Sequence, residues 1–480
     1  MPTSATLAAA AMNMTRHRGC RHDDGLRTAV TGHVSSALLA ARAAMPRQRR
    51  APRLAVFQLQ VTDVTAPDPA LKEPRIRLLG APHSAQAFEI RDFLSRSGVA
   101  YDWLALDSST GLHPVESQRL PLCEFPDGSW IDAATVPAVA ARLGWITKPR
   151  LATYDVSIYG AGPAGLSAAV YAASEGLKTV LVERQAIGGQ AGSSSLIENY
   201  LGFPQGVSGA ELAERARQQA ARFGVDILQL REGVYATFGD DGIHVDMADG
   251  SKLAARVNIC ATGIEWRRLQ LAGEDRLLGA GVFYGAGASE APMCQGETVY
   301  VVGGGNSAGQ AAMHFSAYAS AVVMLVRGER LADTLSDYLV RKIAAAPNVR
   351  VVTHCEVAAL QGDASLEAIT VRDRRSGAEQ TLPTRHLFVC IGGLPNTDWA
   401  RDTPIARDSA GYLLTGADVL AAATPARPWP LQRLPYHLET SVPGSFAIGD
   451  VRHGSIKRVA TAVGEGAMAV AFVHQFLHQA

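Results

Sequence analysis

The sequence predicts an α/β protein with two Rossmann-like dinucleotide-binding folds behind a small α/β module. Two observations carry this reading. A pattern of apolar strand, glycine-rich turn and helix occurs twice, around Gly160 and around Gly303, starting points 143 residues apart. The 480 residues also divide, at about 150 per domain, into roughly three units. With 47% hydrophobic residues, 46 glycines and 24 prolines, the chain can bury a large core and still make many tight turns. Lys+Arg 45 balances Asp+Glu 45, which argues against a general footprint for nucleic acid or anionic membrane. No unbroken apolar run reaches about 18 residues, so no membrane-spanning segment is expected. The six cysteines, at 20, 123, 260, 294, 355 and 390, show no CxxC spacing. Neither a disulfide framework nor a metal site is expected, and a reducing, cytoplasmic compartment fits.

Residues 1–74 read as a disordered or weakly ordered tail. Eight arginines lie between Arg16 and Arg50 against two acids, Asp23 and Asp24. A transit peptide and a start codon placed too far upstream of Met12, Met14 or Met45 are the alternatives. The basic stretch Arg47 to Arg53 has no interleaved aromatics to stack bases. Residues 75–147 form the small module: a strand from Ile76, a helix from Ala85 to Gly98, a strand from Tyr101, the run Leu120 to Phe125, a Pro126-Asp127-Gly128 turn and a helix through Leu143. Lys148 to Leu151 read as a linker.

Strand Asp155 to Tyr159 then runs into Gly160-Ala161-Gly162-Pro163-Ala164-Gly165, with a helix from Leu166 to Glu175. This is GxGxxG in its strand–turn–helix setting. Gly160 allows the tight turn, Gly162 lets the backbone approach a pyrophosphate, and Gly165 lets helix pack on strand. The next strand ends in Glu183, 18 residues past Gly165, placed to accept from a ribose hydroxyl. The second pattern is strand Thr298 to Val302, then Gly303-Gly304-Gly305-Asn306-Ser307-Ala308, a GxGxxA. Its following strand ends in Arg327, with Arg330 close behind. A cation there favours the extra phosphate of NADP over the diol of NAD; a solvated strand end is the alternative.

Five ordered motifs over residues 152 to 475 resemble the low-molecular-weight thioredoxin reductases: Gly188-Gly189-Gln190 through Ile197-Glu198-Asn199-Tyr200, Ala261-Thr262-Gly263, Gly303 to Asn306, Ser441-Val442-Pro443-Gly444 and Gly449-Asp450-Val451. The resemblance implies a FAD domain of residues 152–270 and 388–480, an NADPH domain of 275–387 inserted in it, rotation between the two during turnover, and a homodimer. NADH remains an alternative nucleotide. It also implies that Gly160, Gly162, Gly165 and Glu183 hold the adenosine end of FAD. Gln190, Asn199, Gly263 and Asp450 would lie along the cofactor toward the flavin, and Arg458, Val459 and Ala460 at its O2 edge. Gly303, Gly305, Ala308 and Arg327 would hold the nicotinamide nucleotide.

The departure lies where that family carries its CxxC. Those positions hold Ala286-Gly287-Ala288-Ser289, followed by Glu290, so both sulfurs are gone while the acid's place keeps an acid. Disulfide exchange needs a thiolate. The resemblance therefore implies an enzyme that passes electrons from NAD(P)H through FAD to an external acceptor: a small redox protein such as a ferredoxin or flavodoxin, a quinone, oxygen or a small disulfide. A redox-sensing or partner-binding flavoprotein is the alternative. Glu290 and His453 are the candidate catalytic groups, His453 as a proton donor or simply a loop histidine. Cys294 reads as packing, with a mixed disulfide as the alternative. The 75–147 module is similar to glutaredoxin, with Ser84 and Ala87 at its cysteine places and Pro121 at its cis-proline place, and reads as a docking or structural domain.

Overall fold

The computed structural model describes residues 75–106, 120–239, 241–285, 287–425 and 428–479. The expected tail 1–74, Cys20 within it, and Ala286 lie outside the described residues.

The first unit runs β1 (Ile76–Gly80), α1 (Ala85–Arg96), β2 (Tyr101–Ala105), β3 (Leu122–Glu124), β4 (Trp130–Ile131) and α2 (Val136–Arg142). Apolar residues at helical spacing, Ala87, Ile90 and Leu94, turn one face of α1 onto the sheet. Ser84 caps its N-terminus by accepting from the Ala87 N–H, and Thr135 does the same for α2. The strand order is β2-β1-β3-β4, parallel between β1 and β2 and antiparallel beyond. The Leu120–Pro121 peptide bond is cis.

The second unit is built on a seven-stranded sheet. Strands β5 (Thr153–Tyr159), β6 (Thr179–Glu183) and β7 (Asp226–Gln229) run parallel and buried. The long β10 (Lys252–Cys260) lies beside β5 and pairs on its other side with β9 (Gly242–Met247), which carries β8 (Gly233–Gly239). Helix α3 (Pro163–Ser174) starts three residues before the expected Leu166, because Pro163 is preorganised for a first helical turn. Helix α4 (Gly209–Arg222) packs beside it.

A two-stranded ribbon, β11 (Ile264–Trp266) against β20 (Gly393–Pro395), carries the chain out to a third unit and back. There β12 (Val282–Tyr284), β13 (Thr298–Val302), β14 (Ala321–Leu325), β15 (Val349–Val352) and β19 (Leu387–Val389) form a parallel sheet of order β12-β19-β13-β14-β15. Helices α5 (Asn306–Phe315) and α6 (Asp337–Ala345) pack on it. An antiparallel sheet of β16 (Cys355–Gln361), β17 (Ala368–Asp373) and β18 (Glu379–Pro383) adjoins it.

After the ribbon, β21 (Ser445–Ala447) rejoins β10 in parallel, and α7 (Val459–Gln479) returns to α3. Contrary to the expectation of no such segment, α7 is long and apolar enough to cross a membrane by length and composition. Gly464, Glu465 and Gly466 interrupt its apolar run, which is why no unbroken stretch stands out in the sequence. Its Ala462, Ala469, Val470 and Val473 are buried in the core with α3. The approach is close enough that a Cβ on Gly466 would lie 2.4 Å from the Ala164 carbonyl oxygen.

Candidate functional site

The first glycine turn is closed by backbone contacts that admit no side chain. A Cβ on Gly165 would fall 1.8 Å from the Gly160 carbonyl oxygen, and one on Gly160, at φ +103°, would fall 2.3 Å from the Ala261 oxygen. Gly162 is different. It caps α3 with no side-chain hydrogen bond, and a Cβ there would meet nothing nearer than the Gly189 Cα at 3.8 Å. The first N–H groups of a twelve-residue helix thus open onto a space kept free of side chains, the setting that binds a phosphate.

Other expected residues gather round this turn. Glu183 is 7% exposed and accepts from the Ala161 N–H at 2.7 Å and the Gln185 N–H at 2.8 Å, so its carboxylate sits at the end of β6 beside the turn. The Gly188 N–H donates to the Ala161 oxygen at 2.8 Å, which brings the 188–190 loop alongside. Gln190 donates through Nε2 to the Ile264 oxygen at 3.1 Å, tying that loop to the start of the ribbon. Gly263, at φ +64°, lies where the chain leaves β10, and the Asn396 N–H donates to its oxygen. Gly449 comes within reach of α3, a Cβ there falling 2.9 Å from the Ala164 Cβ. Asp450 follows it; burial raises its carboxyl above the usual carboxylate range, Lys457 opposing and Glu465 adding to the shift. Val459 and Ala460 open α7, and Arg458 immediately precedes it. Asn199 is exposed on the loop after Ile197.

The second turn repeats the design on α5. Gly303 has φ +138°, and a Cβ on it would lie 2.3 Å from the Cys390 oxygen. Gly305 caps the ten-residue α5 without a side-chain bond, and nothing lies within 4 Å of a Cβ placed on it. Ala308, fully buried, takes the third place, where its methyl fits between helix and strand. Arg327 is exposed just beyond β14. The His354 N–H donates to the Gly328 oxygen at 3.2 Å, and the His354 ring bonds Arg375, so a further guanidinium stands close to the stretch that follows Arg327. Spacing along the chain did not disclose it, because it comes from the turn between β17 and β18 through His354 of the β15–β16 loop.

His453 and Glu290 are not brought together. The His453 Nδ1 lies 2.7 Å from Asp408 Oδ2, partly exposed. Burial would raise the Asp408 carboxyl, but bonds from His453 and from the Tyr412 and Ala410 N–H groups hold it below its usual range. Glu290 is 3% exposed and receives Arg91 of α1 on both oxygens. Cys294 is buried with its Sγ on the Glu290 oxygen at 3.3 Å, and burial, with Glu290 and Glu297 adding, pushes its thiol pKa up. Its surroundings are those of a packed apolar residue. The sequence reading missed Glu465, which accepts from the Gly449 N–H at 2.7 Å and from Arg452 at 2.6 Å and so fixes the Gly449-Asp450 turn.

Residues 154–466 match the family model of the pyridine nucleotide-disulphide oxidoreductases. One component of the alkyl hydroperoxide reductase of Pseudomonas putida is 34% identical over 328 residues, which are 67% of this chain but only 58% of that protein. Thioredoxin reductase of Treponema pallidum is 33% identical over 318 residues, 66% of this chain and 94% of that protein. The crystal structure of T. acidophilum thioredoxin reductase superposes with a TM-score of 0.59 at 28% identity, over 68% of this chain and 99% of its own. With two glycine turns of matched design on two parallel sheets, the chain belongs to the pyridine nucleotide-disulphide oxidoreductases.

Proposed function

We propose that this chain oxidises NADPH and delivers the electrons to an acceptor outside itself, with no dithiol of its own in the path. The observation that carries this is the pair of uncapped, side-chain-free helix N-termini at Gly162 and Gly305, one on each side of the β11–β20 ribbon. FAD, when bound, supplies the two-electron chemistry between nicotinamide and acceptor. The protein's part is to bind, orient and shield. Gly160, Gly162, Gly165 and the α3 N–H groups would hold the FAD pyrophosphate, and Glu183 its ribose. Gln190, Asn199, Gly263 and Asp450 would line the way to the flavin. The backbone at Arg458, Val459 and Ala460, where α7 begins, would face the edge on which negative charge develops. Gly303, Gly305 and Ala308 would hold the nicotinamide nucleotide in the 275–387 domain, the 152–270 and 388–480 segments forming the FAD domain.

Arg327, with Arg330 and Arg375 nearby, supports NADPH over NADH. The strand order β2-β1-β3-β4 supports a glutaredoxin-like module over 75–147, without active thiols. Family resemblance supports a homodimer, and the free, buried cysteines at 123, 260, 294, 355 and 390 are compatible with a reducing cytoplasm. The acceptor is a small molecule or a small redox protein that takes electrons without passing them through residues 287–290, which hold no sulfur.

The test is anaerobic titration of the purified protein with NADPH and then NADH, followed by candidate acceptors. Loss of the flavin absorbance near roughly 450 nm with NADPH, and no dithiol formed on added thioredoxin, is the expected result. Thioredoxin reduction at an ordinary turnover rate would overturn the dithiol-free path. A flavin that neither nucleotide bleaches would overturn the oxidoreductase reading.

A further inference from the structure

Helix α1 of the amino-terminal module touches both dinucleotide folds. Toward the second, Arg91 is 1% exposed and donates from Nε and Nη2 to the Glu290 carboxylate at 3.0 to 3.1 Å. The Trp103 ring backs its guanidinium at 4.3 Å. Around the pair, the Phe88 and Phe283 rings meet at 4.9 Å, His83 lies 5.7 Å from His386, and a Cβ on Gly279 would fall 2.9 Å from Phe88. Toward the first fold, Arg96 donates to the Gly189 oxygen at 3.2 Å. The module's far end is fastened there too. Thr147 donates to the Ile227 oxygen at 3.1 Å, the Arg150 N–H donates to Asp226 at 2.7 Å, and Ala186 joins the module's core. The module is therefore fastened to the first fold, whereas the second fold is joined to the first by the β11–β20 ribbon and by the Lys342–Glu198 ion pair.

Helix α5 gives this arrangement a direction. Its C-terminal Phe315 packs on Gly287, three residues from Glu290, and its N-terminus is the second glycine turn, ten residues or about 15 Å away. Arg91 and Arg96 are about 7.5 Å apart along α1, so the Glu290 end of the second fold is the end that stands near Gly189. We propose that the module is a latch: Arg91, acting through Glu290, holds the second fold to the module, and the pair must part for hydride transfer. Arg91 is thus a positioning residue. A buried Arg–carboxylate pair suits the task, because a lone buried charge is costly and the pair either holds or separates as a unit. This inference rests on the NADPH-to-flavin reading above.

The test uses the full-length holoenzyme. Arg91→Met combined with Glu290→Gln removes the pair without leaving a buried charge, and Arg91→Lys keeps a cation but loses the two-point bond. Two quantities are read: the anaerobic rate of flavin reduction at saturating NADPH, and amide hydrogen exchange across the chain. In the double variant the rate is expected to rise about threefold or more with the half-saturating NADPH concentration unchanged. Exchange over 85–96 and 287–294 should rise while 153–183 stays protected. Arg91→Lys should fall between. An unchanged or slower rate with 153–183 still protected overturns the latch, and so does unchanged exchange over 287–294. If NADPH fails to bleach the wild-type flavin, the hydride reading fails by itself, and the exchange data still decide whether Arg91 fastens the two folds.

Discussion

At Gly165 a single methyl group separates a working turn from a broken one. The added Cβ would sit 1.8 Å from the Gly160 carbonyl, and backbone cannot yield as a side-chain tip can. Gly165→Ala should therefore cost about 1–3 kcal/mol and lower the flavin-to-protein ratio after purification, read from the visible spectrum and a thermal melt. Arg327 makes a contrasting case, since it is exposed and the proposed NADPH reading gives it a part in specificity rather than in the fold. Arg327→Ala should raise the KM for NADPH about tenfold, leaving the KM for NADH and the melting temperature nearly unchanged. An equal effect on both nucleotides would remove Arg327 from the phosphate site. Cys294 carries neither role. Its raised thiol pKa and its apolar surroundings mean that Cys294→Ala should leave flavin reduction unchanged in steady-state assays.

Where the ribbon enters the second dinucleotide fold, a polar knot joins short elements that apolar pattern alone does not define. Glu274 accepts from Arg268, from the Tyr284 hydroxyl at 2.5 Å and from the Leu271 N–H at 3.1 Å, and Tyr284 in turn accepts from the Leu269 N–H at 2.8 Å. Burial alone would raise the Glu274 carboxyl, but the bonds from Arg268, Tyr284 and Leu271 outweigh it and hold the carboxyl below its usual range. A carboxyl with a depressed folded-state pKa stabilises the fold above its unfolded value of about 4.3, and that contribution is lost as pH falls through the folded value. Glu274→Gln should thus lower stability at pH 7 by about 1–3 kcal/mol, and the gap from wild type should close below pH of about 3. A gap independent of pH, measured by urea unfolding at both values, would mean the knot works by shape and not by charge. The elements legible in the sequence are those with a long period or a sharp signature: β5, β13, α1 and both glycine turns. The ribbon and the β16–β18 sheet escaped notice, since strands of three to seven residues with mixed exposure carry too little alternation to stand out.

Across the whole molecule, what local pattern could not reveal is the use to which the module is put. Arg91 and Glu290 are 199 residues apart in the chain. Each has a local trace, a cation on the apolar face of α1 and an acid after the 286–289 stretch, but only the tertiary fold joins them. The first glycine turn was legible because strand, turn, helix and Glu183 lie within one short stretch; the pairing of module and second fold was not, because no sequence spacing encodes it. The joined arrangement predicts how an introduced dithiol would behave. In Ala286→Cys with Ser289→Cys, the chain gains the thiols that disulfide exchange requires. The Glu290 that follows them is still buried under α1 with Arg91 on both its oxygens, so the module stands beside the half-buried position 289 where an external protein disulfide has to dock. NADPH-dependent reduction of thioredoxin should therefore stay near background in that double variant, while a small reagent such as a dithiol-reactive aromatic disulfide is reduced. Adding Arg91→Met should then raise thioredoxin turnover well above background. Full thioredoxin activity with Arg91 in place would show that the module does not cover this segment during turnover.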